Sequence, residues 1–190
     1  MSQSKPHSHN SQLQEATFGM GCFWCVEPIF EQIDGVVKVV PGYAGGHKAN
    51  PTYDEVCRGN TGHIEVIRIT YDPGRVSFKD LLVVFFRMHD PTSVDQQGAD
   101  RGEQYRSIIF THSDEQRKQA QAMIRELDAA KAYRSPIVTH VKPLTSYYEA
   151  EDYHHEYFRR NPNQGYCRMV IAPKVKKFEE HFQRLIRKGN

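Results

Sequence analysis

The sequence has few cysteines, little excess charge and no long apolar run, and each shortage excludes a class of protein. Its 190 residues hold four cysteines, scattered at positions 22, 25, 57 and 167. A secreted disulfide scaffold has many more in a short chain. No apolar stretch is long enough to cross a bilayer or to form the core of a secretory signal. We therefore expect a soluble cytoplasmic protein whose cysteines are catalytic, metal-bound or simply buried.

The charge balance argues against a polyanion as the main partner. Lys and Arg total 25 against 23 Asp and Glu, which gives a formal net charge of +2. Nucleic-acid-binding domains usually concentrate a larger basic excess on one face. The basic residues near the C terminus are better explained as the solvated face of a helix. We expect neither nucleic acid nor a membrane as partner, and we take a monomer as the default.

Composition divides the chain into a tail and one domain. Residues 1–14 are rich in Ser, Gln, Asn and His and contain no apolar stretch, which predicts a disordered polar tail. Residues 15–190 are enough for a single domain with a substantial core. No internal repeat and no second low-complexity segment interrupt this domain.

Hydrophobic periodicity and turn residues predict an α+β fold. Strands are predicted at 16–21, 36–40, 63–71, 105–112 and 137–141. Helices are predicted at 23–33, after a Ser77 cap, from a Ser113–Gln116 capping box to about 133, and around 150–159, with a long loop over 41–62. The order contains a βαββαβ unit, which indicates a ferredoxin-like two-layer sandwich with an extra C-terminal helix, strand and coil.

The most informative motif is Gly19-Met20-Gly21-Cys22-Phe23-Trp24-Cys25-Val26-Glu27, where a predicted strand leads into a helix. A cysteine here has its sulfur at the helix N terminus, where unpaired amides and the helix dipole favour negative charge. We expect this position to lower the pKa of Cys22 from about 8.5 and to make it a nucleophile. Phe23 and Trp24 add an aromatic surface beside the sulfur.

Cys22 and Cys25 have the Cys-x-x-Cys spacing of thioredoxin-like redox pairs, and on one helix they lie about one turn apart. Two small buried residues packing a helix would give the same spacing. A structural zinc site needs two further ligands at tight spacing, whereas Cys57 and Cys167 are single, so we expect no metal. We expect Cys57 to be a buried bystander.

Glu65 opens an otherwise apolar strand and, by the two-residue period, lies on its more buried face. A carboxyl in apolar surroundings has a raised pKa and can donate a proton near neutral pH. The pattern alone slightly favours an edge-strand glutamate that reaches solvent. By default Tyr53 and Tyr105 are packing residues with hydrated hydroxyls, Asp100 is a turn residue and His154 is exposed on a helix.

Together these motifs resemble peptide methionine sulfoxide reductases of the A type. The matching positions in chain order are 21–24 with Glu27, 42–46, 51–53, 61–63 with Glu65, 89–92, 97–98 with Asp100, 104–107, 151–154, 166–167 and 173–174. The resemblance covers about residues 16–178. It implies reduction of methionine-S-sulfoxide, free or in oxidised proteins, without an organic cofactor and with electrons from thioredoxin or another dithiol.

The resemblance also implies the course of the reaction. Cys22 aligns with the nucleophile that attacks the sulfoxide sulfur, and Glu65 aligns with the acid that protonates its oxygen. The sulfenic acid left on Cys22 must condense with a second thiol. Cys167 matches the family's recycling cysteine and follows a segment, 161–165, that we expect to be flexible. Cys25, where many members have glycine, is the alternative, although a helix would hold its sulfur stiffly.

The resemblance also implies that the remaining matched residues form a binding pocket. Tyr53 and Tyr105 match hydroxyls that hold the sulfoxide oxygen, and Asp100 matches a polar residue of the same pocket. Phe23 and Trp24 match the apolar wall that receives the ε-methyl group.

Two other functions remain open at this stage. One is general thiol–disulfide exchange by Cys22 and Cys25, which requires no Glu65. The other is a redox sensor in which Cys22 oxidises without turnover. The combination of Cys22 with Tyr53, Glu65 and Tyr105 favours the reductase, because a sensor has no use for an acidic oxygen-binding pocket.

Overall fold

The computed structural model describes residues 12–188. Nearly all of the predicted polar tail, residues 1–14, lies outside the described residues, so that prediction stays a prediction. The first strand begins at Gln14, one residue before the predicted start of the domain. No helix in this described part of the chain is long and apolar enough to cross a membrane.

The secondary structure follows the predicted order. The strands are β1 (Gln14–Gly19), β2 (Val36–Ala44), β3 (Ile64–Tyr71), β4 (Gln96–Gln97), β5 (Asp100–Arg101), β6 (Ile108–Thr111), β7 (His140–Pro143) and β8 (Tyr147–Glu149). The helices are α1 (Phe23–Phe30), α2 (Tyr53–Cys57), α3 (Phe78–Met88), α4 (Asp114–Ala129), α5 (Tyr157–Arg160) and α6 (Ala172–His181). A π-helical segment, Cys167–Ile171, leads directly into α6.

The main sheet has the strand order β7-β6-β1-β3-β2-β8. Its four central strands pair antiparallel in the order β6-β1-β3-β2, with α1 connecting β1 to β2 and α3 lying between β3 and β6. This is the predicted ferredoxin-like βαββαβ arrangement, and the α+β class is confirmed. β7 extends the sheet beside β6 in parallel after α4, and β8 pairs with the other edge at β2.

The main core lies on the sheet face that α1 and α3 cover. Phe18 of β1 is at its centre, with ring centroids 5.8 Å from Phe30 and 5.1 Å from Phe85. Because side chains alternate along a strand, Glu65 of β3 shares this face with the buried Ile67. The helices therefore cover the carboxyl as well as the apolar core.

The predicted helix caps are partly confirmed. Ser77 and Asp80 form a reciprocal capping box at the start of α3. At α4 the Ser113 side chain accepts a hydrogen bond from the Gln116 amide, as predicted. The Gln116 side chain, however, accepts from the amide of His112 instead of completing the box.

The loop predicted over 41–62 contains more regular structure than expected. β2 continues well into it, since Gly42 allows a close approach: a Cβ there would lie 2.5 Å from the Tyr147 ring of β8. Further along, Thr52 and Glu55 form a capping box that starts α2. The turn residues in this stretch predicted a loop and gave no indication of the end of β2 or of α2.

Several predicted elements differ at their ends: the strand predicted over 137–141 is β7, and the helices predicted over 23–33 and to about 133 end at Phe30 and Ala129. In two others, short turns interrupt the pattern. The strand predicted over 105–112 begins only at Ile108, because a 3₁₀ turn occupies Glu103–Tyr105. The helix predicted over 150–159 is divided into the 3₁₀ turn Asp152–His154 and α5. The break lies at Glu156, whose φ of 51° is in the left-handed region.

Truncation of Phe18 tests the position of the core. Phe18→Ala should lower the free energy of unfolding by about 3–5 kcal/mol, because it removes a fully buried ring and leaves a cavity. Urea denaturation measures this change. Val94→Ala, at a residue 70% exposed, is the control and should change stability by less than about 0.5 kcal/mol. Similar losses in the two variants would contradict the assigned core.

Candidate active site

Cys22 lies at the junction of β1 and α1 and is the N-cap residue of α1. Its φ of −57° and ψ of 122° place it outside the helix, whereas Cys25 is within the first turn. The preceding Gly21 has a φ of +96°, and a Cβ there would lie 2.7 Å from the Gln97 side chain. The Cys22 carbonyl accepts a hydrogen bond of 3.0 Å from the Cys25 amide, so the two cysteines lie one turn apart at the start of the helix, as predicted.

Glu65 faces this junction from the neighbouring strand β3. Its side chain is 1% exposed, and its Oε2 accepts a hydrogen bond of 3.1 Å from the Phe23 amide. β3 pairs with β1 on one side and β2 on the other, so the solvent-facing edge position is excluded. Burial raises the pKa of Glu65 to about 8, against the lowering effect of the amide hydrogen bond. The carboxyl therefore holds a proton at neutral pH.

The thiols of Cys22 and Cys25 form a coupled pair. Their mutual hydrogen bond, burial and the charge of Glu65 raise the pKa of Cys22, whereas the same hydrogen bond lowers the pKa of Cys25 to about 7. The expected low pKa of Cys22 is thus wrong for the substrate-free protein, because burial and the facing carboxyl oppose a charge there. The hydrogen bond between the two thiols thus opposes ionisation of Cys22 and favours that of Cys25.

Asp100 reaches the thiols through a tyrosine. Its Oδ2 accepts a hydrogen bond of 2.9 Å from the Tyr166 hydroxyl, whose oxygen lies 3.4 Å from the sulfur of Cys25. Because the hydroxyl hydrogen is donated to Asp100, a lone pair of that oxygen is available to the Cys25 thiol. The β4–β5 hairpin, in which Asp100 pairs with Gln97, supplies the carboxylate. Tyr166 was matched only as part of the resemblance.

Phe23 and Trp24 form the aromatic side of the site. Phe23 is buried, whereas Trp24 is partly exposed. The indole nitrogen of Trp24 donates a hydrogen bond of 2.9 Å to Nδ1 of His154. The ring of Tyr157 stacks on the indole with a centroid separation of 3.8 Å and an interplanar angle of 7°. Two different contacts thus hold the indole plane in place.

Tyr53 and Tyr105 approach the carboxyl from two separate segments. Tyr53 opens α2, where its amide donates a hydrogen bond of 2.8 Å to Glu151 and its ring lies 4.5 Å from that of His154. Tyr105 lies in the 3₁₀ turn before β6. Burial and then the charge of Glu65 raise the pKa of both hydroxyls, which remain protonated as possible donors.

Glu151 and His154 were missed as site residues. His154 is completely buried rather than exposed on a helix. Glu151 accepts hydrogen bonds from the Tyr43 hydroxyl and from the Tyr53 amide, and it lies 3.1 Å from Nε2 of His154. Both residues belong to the segment 151–154 that matches the family, and this match could have identified them as site residues. Their spacing in the sequence gave no such indication.

Cys167 belongs to the same core as the other two buried cysteines. It is completely buried at the start of the π-helical segment, and burial followed by the charge of Cys25 raises its pKa. The preceding segment, 161–165, is tied by hydrogen bonds of Asn161 to the Tyr157 carbonyl and of the Gln164 amide to Asn161. These hydrogen bonds give the segment predicted to be flexible a defined conformation in the structure.

Cys57 is exposed, so the prediction that it is buried is wrong. It ends α2, one helical turn after Tyr53, where the short helix turns toward solvent. Within the described chain no group of three or more His, Cys, Asp or Glu side chains is arranged to hold a metal ion.

The arrangement combines polar donors with an apolar wall. A cysteine at a helix N terminus faces a protonated carboxyl, two tyrosine hydroxyls lie near that carboxyl, and an ordered indole borders them. Such a site can hold a polar oxygen and an adjacent small apolar group at the same time, and a second thiol is in contact with the first.

Comparisons with known proteins agree with one another. The family model described as peptide methionine sulfoxide reductase matches residues 14–186. Peptide methionine sulfoxide reductase MsrA from Polynucleobacter asymbioticus is 52% identical over 174 residues, which cover 92% of each chain. The structure of reduced Mxr1 from Saccharomyces cerevisiae is similar with a TM-score of 0.77 at 34% identity, covering 84% of this chain and 91% of that one. A structure of Mxr1 in complex with Trx2 matches with a TM-score of 0.54 at 25% identity, covering 78% and 86%.

The protonation state of Glu65 can be measured directly. A protonated-carboxyl infrared band should be present at pH 7, should disappear with a midpoint near pH 8, and should be absent in Glu65→Gln. Because the folded-state pKa is raised, the free energy of unfolding relative to Glu65→Gln should fall as the pH rises from the unfolded-state value toward 8. A carboxyl already ionised at pH 6 would contradict the assignment.

Proposed function

Because the chain belongs to the peptide methionine sulfoxide reductase family, and so reduces methionine sulfoxide through thiol chemistry, we propose that Cys22 and Glu65 carry out the reduction. The observation that supports this most directly is the buried, proton-holding Glu65, which is hydrogen-bonded to the residue next to Cys22. A thiol–disulfide exchanger has no need of such an acid. We propose methionine-S-sulfoxide as the substrate, both free and in oxidised proteins.

Substrate binding follows from the two kinds of surface around the thiol. The hydroxyls of Tyr53 and Tyr105 hold the sulfoxide oxygen, together with the Glu65 proton. Phe23 and Trp24 receive the ε-methyl group, since an apolar wall excludes water from it. This orientation presents the sulfoxide sulfur to Cys22, and only one epimer can satisfy both surfaces at once.

The acid and the nucleophile assist each other electrostatically. An ionised Glu65 raises the pKa of Cys22, so a protonated Glu65 favours the thiolate that attacks. The Cys22 sulfur bonds to the sulfoxide sulfur while Glu65 protonates the oxygen, which makes the S–O bond easier to break. The new S–S bond and the S–O bond to the methionine sulfur then break, methionine leaves, and the oxygen remains on Cys22 as a sulfenic acid. Methionine sulfur gains two electrons, and Cys22 sulfur loses two.

Two thiols are candidates for the next step, and their surroundings suggest an order. Cys25 already contacts Cys22, whereas Cys167 is buried behind a hydrogen-bonded segment. We propose that the Cys25 thiol condenses with the sulfenic acid and releases water, and that Cys167 then exchanges with this disulfide. Asp100 acts through Tyr166 by orienting the Cys25 thiol.

A dithiol protein must then return the enzyme to its reduced form. We propose thioredoxin as this partner, a proposal that the solved complex of Mxr1 with Trx2 supports. Thioredoxin would attack the disulfide that contains Cys167 and leave oxidised thioredoxin and three reduced thiols. The reducing equivalents come from thiols throughout the cycle, with no organic cofactor.

The assignment of nucleophile and acid can be tested with the two separated epimers. With thioredoxin present, the reduced protein should release methionine from the S epimer and not from the R epimer. Cys22→Ser should abolish this release. Glu65→Gln should slow it by about 100-fold or more, the range for a lost general acid.

A control variant and two contrary outcomes define how this assay is interpreted. Val37→Ala, at a residue 60% exposed on β2, should retain full turnover. Equal rates for wild type and Glu65→Gln would refute the acid assignment. Oxidation of the thiols without turnover of either epimer would instead favour disulfide exchange or sensing.

The order of the thiols can be tested in single-turnover and cycling assays. Cys167→Ser should release about one methionine per enzyme and form a Cys22–Cys25 disulfide, because its first resolving thiol is intact. It should fail to cycle with thioredoxin. Cys25→Ser should retain a sulfenic acid on Cys22 that a dimedone label captures.

Peptide mapping by mass spectrometry identifies each species. Sustained thioredoxin-driven cycling of Cys167→Ser would show that Cys25 alone is sufficient. Rapid loss of the sulfenic acid in Cys25→Ser, with a Cys22–Cys167 disulfide, would show that Cys167 resolves directly.

A further inference from the structure

Glu27 is a buried acid that the proposed chemistry does not use. It lies in α1, one helical turn after Phe23, and is 2% exposed. No Lys, Arg or His of residues 12–188 forms a salt bridge with it. Its Oε1 instead accepts a hydrogen bond of 3.0 Å from the backbone amide of Glu156, 129 positions later in the chain. A buried carboxyl bound only to backbone amides has a structural or positioning role.

The amide that Glu27 binds belongs to an unusual backbone position. Glu156 has φ 51° and ψ 32°, a left-handed conformation that non-glycine residues adopt only when their surroundings hold them there. It is also the N-cap of α5, where the first amides have no partner within the helix. The Glu156 side chain makes no capping hydrogen bond. Glu27 of α1 supplies the acceptor in its place.

The residue after Glu156 contacts the proposed methyl-binding wall. Tyr157 stacks on Trp24, and His154, two residues before Glu156, accepts the hydrogen bond from the Trp24 indole. Trp24 and Glu27 are three positions apart on α1 and so lie on the same side of that helix. The indole and the carboxyl therefore bind one segment, 154–157, at neighbouring points.

We propose that Glu27 is a positioning residue that anchors the amide of Glu156, holds Tyr157 against Trp24 and thereby sets the shape of the wall that receives the substrate methyl group. This rests on the proposed function of the wall, although the anchoring itself does not. Burial raises the pKa of Glu27 to about 7, which is consistent with a carboxyl kept for its geometry and not for an exposed charge.

Trp24 makes the anchoring measurable without any substrate, because it is the chain's only tryptophan. Its emission and its quenching by acrylamide report whether Tyr157 still covers the indole. In Glu27→Ala, quenching should increase toward that of Tyr157→Leu. Glu27→Gln keeps one acceptor oxygen, and it should remain closer to wild type. Glu115→Ala, at an exposed carboxylate in the first turn of α4, is the control and should show wild-type quenching.

Kinetics then test the consequence for substrate. Glu27→Ala should raise KM for the S-sulfoxide about 10-fold, the size of one lost hydrogen bond to a charged group, while the single-turnover rate at saturation stays within about twofold. The double variant with Tyr157→Leu should show no further rise, because both changes release the same contact.

The outcomes separate this proposal from the function on which it rests. Wild-type quenching in Glu27→Ala, or additive effects of Glu27→Ala and Tyr157→Leu on KM, would overturn the proposal. If Glu27→Ala does not fold, Glu27→Gln carries the test: quenching closer to wild type than to Tyr157→Leu supports the anchor, whereas quenching equal to that of Tyr157→Leu, or wild-type quenching with a roughly 10-fold higher KM, would overturn it. Failure of wild type to reduce sulfoxide would refute the proposed function and leave the quenching result standing.

Discussion

The hydrogen bond between the Phe23 amide and the Glu65 carboxyl joins the two parts on which the site depends. It connects the first turn of α1 to a central strand, and it does so beneath the layer of helices. A carboxyl placed there loses its hydration, and burial outweighs the amide in setting its pKa. The same contact therefore fixes the position of the thiol-bearing junction and keeps a proton within its reach. Removing either partner would leave a buried polar group unpaired.

Charge in this site is limited by burial. Glu65, Cys22 and Cys25 are close enough to influence one another's pKa, and the surroundings do not accommodate two negative charges at once. A proton retained on Glu65 is thus linked to the ionisation of a thiol. In the substrate-free protein the hydrogen bond between the thiols raises the pKa of Cys22 and lowers that of Cys25. This coupling explains why the thiol pair at the start of α1 faces an acid on the neighbouring strand β3.

The sequence predicted the core and several site residues because their signals are local. The helix-start motif marked Cys22, and the two-residue period put Glu65 on the more buried face of its strand. That pattern alone still favoured an edge strand, and only the family resemblance identified Glu65 as the acid. The left-handed Glu156 and the buried His154 gave no such signal, since each depends on contacts with residues more than a hundred positions away. The prediction that Cys22 has a lowered pKa failed for a related reason. A helix terminus can be seen in a sequence, but the burial and the facing carboxyl that oppose its effect come from tertiary structure.

The burial of the thiols bears on how the protein tolerates the oxidants that create its substrate. Cys22, Cys25 and Cys167 are all inside the core, whereas Cys57 and Met169 face solvent. A peroxide in solution meets the exposed sulfurs first, and a molecule must fit the pocket to meet Cys22. Burial thus limits direct oxidation of the three core thiols, so that more of them stay reduced while the exposed sulfurs are oxidised.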